Sequence, residues 1–436
     1  MVLVCTLGLV SVGHAQVGGG IPGTAFGGAG GGIPGTAFGG ANDPSMVPIT
    51  SGFHVIPSIA VTERYDSNVF FRARSPGLED QSDYVTSVAP QIRGLYSGSE
   101  MTVNATVGAN AQYYVKNTNF NYVGTNAALF LNLSPMLDRL WQGMTFTIAD
   151  SFRYTPQPPS FLVGNHEGDT SNPFLTGQQV GRVNSTSNTA NASVTAPLTQ
   201  TLSLTGGYSY GFLRFGSSQV QQTAVLLDSS FQTFTGGLSM RLSPQDSVTL
   251  NFIDSEFRYK QNGGSISSRS GIVGWNHAFS PAVTLASSAG ATIVERQSSG
   301  ASSTVAPRGY AGLTWKDNTT SLTMAYAVTI VPSNQSSAQP LLVDVVTFSM
   351  TQMTPIPQLV GLASVNYGRG DEIGSKSVNA VSYTSYAASG GIVYKFTPQT
   401  FLNLTYQYAN YDNQFGATNN SFDRHVVSIS IAQAFY

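Results

Sequence analysis

The chain has 436 residues, 41% of them apolar and only 10% charged, with a formal net charge of −2. That balance excludes a basic surface for nucleic acid, and it leaves too few ionic side chains to coat a soluble domain, where about a quarter of residues are charged. Ser, Thr, Asn, Gln and Gly stand where the charge would be. This composition suits a sheet with one face in hydrocarbon and the other lined by hydroxyls and amides.

Residues 1–15, MVLVCTLGLVSVGHA, are a short apolar run ending in Gly13-His14-Ala15. They match the hydrophobic core and small-x-small site of a secretory signal, so cleavage is expected before Gln16. Cys5 is the sole cysteine, and Leu3-Val4 before it make a poor lipobox. The mature chain then has no disulfide framework, zinc cluster or thiol chemistry. The segment GGGIPGTAFGGA at 18–29 returns unchanged at 30–41. Gly-rich, uncharged and interrupted by Pro22 and Pro34, residues 16–51 read as a flexible periplasmic leader.

From Gly52 onward the chain alternates. In MTVNATVGANAQYYVK, Met101 to Lys116, every second residue is apolar and those between are almost all polar. Period two means a strand. The run exceeds the usual length of about 5–6 residues and reaches the roughly 9–11 that a tilted strand needs to cross a bilayer. The pattern returns in Leu202, Leu204, Tyr208, Tyr210 and Phe212, in Leu322, Met324, Tyr326, Val328 and Ile330, and in Leu402, Leu404, Tyr406 and Tyr408. No helical stripe of comparable quality appears, and no segment resembles a transmembrane helix.

The connections sort into two kinds. Tight-turn chemistry marks Tyr96-Ser97-Gly98-Ser99, Ser243-Pro244-Gln245-Asp246, Phe279-Ser280-Pro281, Lys316-Asp317-Asn318, Thr354-Pro355-Ile356-Pro357 and Thr397-Pro398-Gln399. Longer polar stretches near 66–82, 156–181, 215–226, 261–266, 297–303, 332–340, 370–378 and 411–421 alternate with them. Short periplasmic turns alternating with long external loops describe a bacterial outer-membrane barrel. The expected fold is all-β: a single antiparallel up-and-down transmembrane β-barrel over 52–436, with about 18 strands or, alternatively, 16. An even number places both ends of the barrel on the periplasmic side.

Trp141, Trp275 and Trp315 each lie within a few residues of a short turn, which predicts an aromatic girdle at the periplasmic interface. Tyr113, Tyr154, Tyr210, Tyr259 and Tyr408 fall at the opposite strand ends. The chain closes on HVVSISIAQAFY, in which Val427, Ile429, Ile431 and Phe435 share one face that Gln433 interrupts. A C-terminal strand with a terminal aromatic looks like the one read by the barrel-assembly machinery.

The stretch HVIPSIAVTERYDSNVFFRA at 54–73 carries Pro57, Ile59 and Val61, then Tyr65, Asp66 and Asn68 as Tyr-Asp-x-Asn. It is similar to the opening strand of the second type of outer-membrane β-barrel porin family, found beside exopolysaccharide gene clusters. The resemblance extends loosely over the barrel as strand rhythm and an aromatic C-terminus. It implies an outer-membrane channel, open to secreted polysaccharide, and supplies no catalytic residues.

A barrel of this size is wide enough for an aqueous channel. Alternation puts Arg93, Arg241, Arg308 and Lys395 on the polar face, predicting a basic zone in the periplasmic half of the lumen that favours anions or acidic sugars. Asp254, Glu256 and Arg258 share a face, read as a mixed-charge lumen if a bulge near Phe252-Ile253 keeps Phe257 and Tyr259 outward. Asp150, between Ile148 and Phe152, requires either a different register or a place at the outer rim. His54, His277 and His425 are isolated in sequence and read as interfacial, while His166, Glu167 and Asp169 read as a solvated loop. No phosphate loop, dinucleotide fingerprint or zinc-protease motif is present, so no cofactor, metal or enzymatic activity is expected.

The leading function is passive passage of polar solutes or polysaccharide through the outer membrane, with outer-membrane lipid as the surrounding partner and a periplasmic partner open at the leader. Two other classes stand beside it: a barrel sleeve housing a partner such as a multihaem cytochrome, and an outer-membrane hydrolase acting through His166.

Overall fold

A computed structural model of the chain describes residues 51–71, 73, 81–155, 183–218, 226–260, 264–297, 302–333, 339–373, 381–415 and 418–436. The signal-like segment, the duplicated leader and the loop carrying His166, Glu167 and Asp169 lie outside them.

The strands are β1 (Gly52–Asp66), β2 (Asp83–Ser97), β3 (Thr102–Tyr114), β4 (Tyr122–Asn132), β5 (Thr145–Thr155), β6 (Val183–Pro197), β7 (Leu202–Ser218), β8 (Ser229–Arg241) and β9 (Asp246–Tyr259). They continue as β10 (Ser265–Ser280), β11 (Val283–Gln297), β12 (Ser302–Lys316), β13 (Thr320–Pro332), β14 (Pro340–Met353), β15 (Leu359–Glu372), β16 (Val381–Thr397), β17 (Thr400–Phe415) and β18 (Thr418–Ala434). Each pairs antiparallel with the next, and β1 also pairs with β18 from Ser58↔Ala434 to Asp66↔Val426. The sheet is therefore a closed barrel of 18 strands. Closure removes the two outer edges of the sheet, because β1 and β18 pair with each other.

Both ends of the barrel, Gly52 and Ala434, lie at the end that carries the short connections. Side chains preset several of these turns. The Asp317 carboxylate accepts the N–H groups of Thr319 and Thr320 at 2.7 Å each. The Ser243 hydroxyl accepts those of Gln245 and Asp246, and the Ser280 hydroxyl those of Ala282 and Val283. The connection between β4 and β5 is longer and includes a single helical turn, α1 (Ser134–Leu137).

The alternation of Met101–Lys116 resolves into two faces of one wall. Val107, Tyr113 and Val115 lie on the outside, exposed, whereas Asn110, Gln112 and Tyr114 point inward and are buried. Register shifts occur between Ala278 and Ser280 and between Lys395 and Thr397, both at the turn end. None interrupts β9 near Phe252-Ile253, where pairing with β8 and β10 runs unbroken; the bulge expected there is absent.

Candidate functional site: the lumen

Register assigns every strand residue to a face, because residues paired across an antiparallel ladder share a side. The charge that results is sorted. Inside lie Arg64, Arg93, Arg153, Arg241, Arg296, Arg308, Lys316, Lys395 and Arg424, against only Asp66, Asp83 and Glu372. Outside lie Glu63, Asp150, Asp246, Asp254, Glu256, Glu295, Asp344, Asp371, Asp412 and Asp423, against Arg214, Arg258, Arg269 and Arg369. A chain close to neutral overall thus folds into a cationic interior.

Arg93, Arg241, Arg308 and Lys395 all carry inward parity. Arg93 Nε donates to Asn104 Oδ1 at 3.0 Å, and Arg308 donates to the Ser270 hydroxyl at 3.3 Å. Lys395 Nζ stands 5.7 Å from the centroid of the buried Phe401 ring. Arg241 is the last residue of β8. On β2, β8, β12 and β16 the four are spread around the wall and do not touch. Arg93, Arg241 and Lys395 lie near the turn end, but Arg308 sits at mid-wall, because β12 runs on to Lys316 below it. Inward Arg153, Arg296 and Lys316 went unnamed in the sequence reading, although the same parity count reaches them.

The three tryptophans all lie at the turn end, on the outside. Trp275 Nε1 donates to Asp246 at 3.1 Å, and Trp141 Nε1 to the Pro197 carbonyl at 2.8 Å. Trp315 pairs with Leu322 one residue before the strand ends. His277, expected to be isolated, lies 2.8 Å from the same Asp246 and between the Trp275 and Phe279 rings. His425 bonds the Tyr406 hydroxyl at 2.9 Å and lies against the Tyr408 ring. Both histidines are partnered through outward-facing groups.

At the loop end the two faces exchange character. Phe257 and Tyr259 point inward and are buried, whereas Asp254, Glu256 and Arg258 point outward. The mixed-charge lumen expected there does not exist. Glu256 bonds Gln232 and Arg258 on the outer surface, and Arg269 reaches toward Asp254 and Glu295. Tyr259 likewise leaves the outer tyrosine set, while Tyr113, Tyr154 and Tyr210 are exposed on the outside and Tyr408 faces outward to bond Asp423. Asp150 keeps the expected register and faces outward. Its two oxygens accept Asn188 Nδ2 at 3.1 Å each, on the outer wall.

The Tyr-Asp-x-Asn stretch sits where first and last strands meet. Asp66 accepts the Asn68 N–H at 3.1 Å and, from β18, Arg424 Nε at 3.0 Å and Nη2 at 2.6 Å. Arg424 stacks 4.4 Å from the centroid of Phe71. Arg64 adds a second cation 3.9 Å from Asp66 and bonds Gln112. Tyr65 faces outward against Tyr84.

No family model matches the chain, and no curated protein matches it. Solved structures share its outline. OccK9 (OpdG) of Pseudomonas aeruginosa has 12% identity and a TM-score of 0.47, covering 87% of this chain and 98% of that one. OccK1 (OpdK) of the same organism has 11% identity and a TM-score of 0.47, covering 87% and 99%. OccAB4 of Acinetobacter baumannii has 12% identity and a TM-score of 0.43, covering 90% and 100%. Likenesses this distant carry no functional argument; the faces of the wall carry it instead.

Proposed function

We propose that the chain is a bacterial outer-membrane channel that passes small anionic solutes, acidic sugars among them, by passive movement and without chemistry. The carrying observation is the sorting of charge: nine Lys and Arg of the strands face inward against three Asp and Glu. Fixed cations along a narrow aqueous path lower the barrier for anions and raise it for cations. Arg93, Arg241, Lys316 and Lys395 form the collar on the periplasmic side, with Arg308 above it. The apolar outer face, Val107, Leu250, Phe252 and Ile431 among its members, is the surface that lipid covers. Trp141, Trp275 and Trp315 anchor the periplasmic rim, and Phe435 and Tyr436 end the strand offered to the assembly machinery. Residues 1–15 direct export, and the Gly-rich leader hangs in the periplasm.

The loop-end half of the lumen carries two apolar clusters, so the cations nearer the turn end are expected to set the selectivity. Protein purified from outer membranes, placed in a planar bilayer under a salt gradient, should give a reversal potential of anion sign. Replacing Arg93, Arg241, Arg308 and Lys395 together with Gln should move that potential toward zero. Clear cation preference rejects the anionic reading. Silence with a co-purifying haem protein would favour the sleeve instead.

A further inference from the structure

β12 and β13 are paired only from Gly309↔Val328 to Lys316↔Ser321. Both strands continue toward the loop end, β12 paired with β11 alone and β13 with β14 alone. Extending the register would set Arg308, Pro307, Ala306 and Val305 opposite Thr329, Ile330, Val331 and Pro332, and none of these rows is paired. The wall has a slit here of about four residues, roughly 13 Å at about 3.4 Å per residue. Pro307 suits such an edge, having no N–H to pair.

At the slit the upper end of β13, up to Ser333, leans into the lumen. Tyr259, inward at the end of β9, donates its hydroxyl to the Ser333 carbonyl at 2.7 Å, although β9 and β13 are four strands apart in the wall. Ile330 lies on the face of β13 that is exposed lower down at Met324 and Tyr326, yet it packs against the inner-wall cluster to which Leu213, Phe231 and Val294 belong. Val331, on the opposite face, packs against the cluster that includes Leu341, Tyr383 and Phe422. The upper end of β13 is thus apolar on both sides and lies between two apolar clusters.

A polar foot lies directly below. Arg308 Nη1 reaches the Ser270 hydroxyl at 3.3 Å, and Ser270 shares a 2.8 Å hydrogen bond with Thr292. Among the described residues no Asp or Glu pairs with Arg308. Ile266 and Val294 stand above on the same strands as Ser270 and Thr292, facing inward. A cation with two hydroxyls lies beneath an apolar cluster that Ile330 covers, beside an unpaired edge whose outer face is apolar at Val305 and Ile293; the arrangement is complementary to an anionic head carrying one alkyl chain.

We propose that the slit is a lateral portal for an anionic single-chain amphiphile of the fatty-acid type, drawn from the surrounding leaflet. Its head rests on Arg308, Ser270 and Thr292, and its tail takes the place of Ile330 against Leu213, Phe231 and Val294. The inference rests on the membrane placement of the proposed function but not on ion conduction. The test is photolabelling of the full chain in phosphatidylcholine vesicles with dodecanoic acid bearing a terminal diazirine, adducts being mapped by mass spectrometry. Adducts are expected at inward Leu213, Phe231 and Val294 as well as at outward Ile293, Val305 and Phe234. Pro307→Trp, an outward residue of the unpaired rows that would cap the slit from outside, should reduce the inward adducts to background and leave the outward ones. Arg308→Gln should lower inward labelling by the acid about tenfold, the loss of one charge-assisted contact, with no change for the methyl ester of the same probe. Outward adducts alone would overturn the portal while leaving the membrane wall standing. Adducts on neither face would overturn both, and inward adducts surviving in Pro307→Trp would overturn the slit as the route.

Discussion

The turn end and the loop end of the barrel are built from the same ladder with opposite polarity. In β9, Leu250 and Phe252 face outward while Thr249 and Asn251 face inward; a few residues on, Asp254, Glu256 and Arg258 face outward while Phe257 and Tyr259 face inward. β18 repeats the change, with Ile429 and Ile431 outside near the turn end and Phe422 inside, Asp423 outside, near the loop end. Parity is geometric and does not vary along a strand. What each side touches does vary: in the membrane placement proposed above, hydrocarbon lies outside the lower wall and water beyond the upper one, while the upper interior carries two apolar clusters. The same outward position is therefore greasy at one height and ionic at another.

The largest expected effect falls on the loop-end clamp. Asp66→Ala leaves the buried Arg424 without its carboxylate and should cost about 3–5 kcal/mol, read from equilibrium urea unfolding of the protein refolded in vesicles. The next tests the exchange of faces on outward residues alone. Val107→Arg, in the lipid-facing stretch, should cost about 2–4 kcal/mol, whereas Arg258→Leu at the loop end should leave the unfolding midpoint in place. Equal losses from both would mean that the loop end is not above the lipid. Smaller again is Gly370→Ala. Gly370 faces inward beneath the Tyr383 ring, and an added Cβ would run into that ring. The forced shift should cost about 1–3 kcal/mol, and a Tyr383→Ala background should relieve it. The smallest lies at the turn end. The Thr319 and Thr320 N–H groups hold the Asp317 carboxyl below the usual carboxylate range. Its contribution is thus present above the ordinary carboxylate pKa and is lost as pH falls through its lowered one. In Asp317→Ala the acid-induced drop in unfolding midpoint between about pH 7 and about pH 3 should be slightly smaller than in wild type.

The strand number and the two kinds of connection were legible because period two and Pro, Asn and Asp turn chemistry are local signals. Parity was legible too, and it placed Arg93 and Lys395 on the inner face. Which face is the inner one was read from hydrophobicity, and that rule fails at the loop end, where Phe257 and Tyr259 face inward. It turned Asp254, Glu256 and Arg258 inward and called for a bulge that the ladder does not contain. The height of Arg308 was misjudged because the distance along β12 to the next turn was not counted. The inward lean of the upper end of β13 could not be seen at all, since Tyr259 and Ser333 are 74 residues apart in sequence and no local pattern records their meeting. The Asp66–Arg424 clamp, separated by 358 residues, is of the same kind.

Closure by β1 against β18 also sets the timing of folding. The first strand to be made finds its second neighbour only when the last residues of β18 arrive, because Ser58 pairs with Ala434. Until then one end of a growing curved sheet stays unsatisfied, and contacts this remote form slowly. A chain that lost the last strand would keep seventeen strands joined by sixteen ladders and still fail as a cylinder, so its hazard is self-association along the raw edges rather than unfolding.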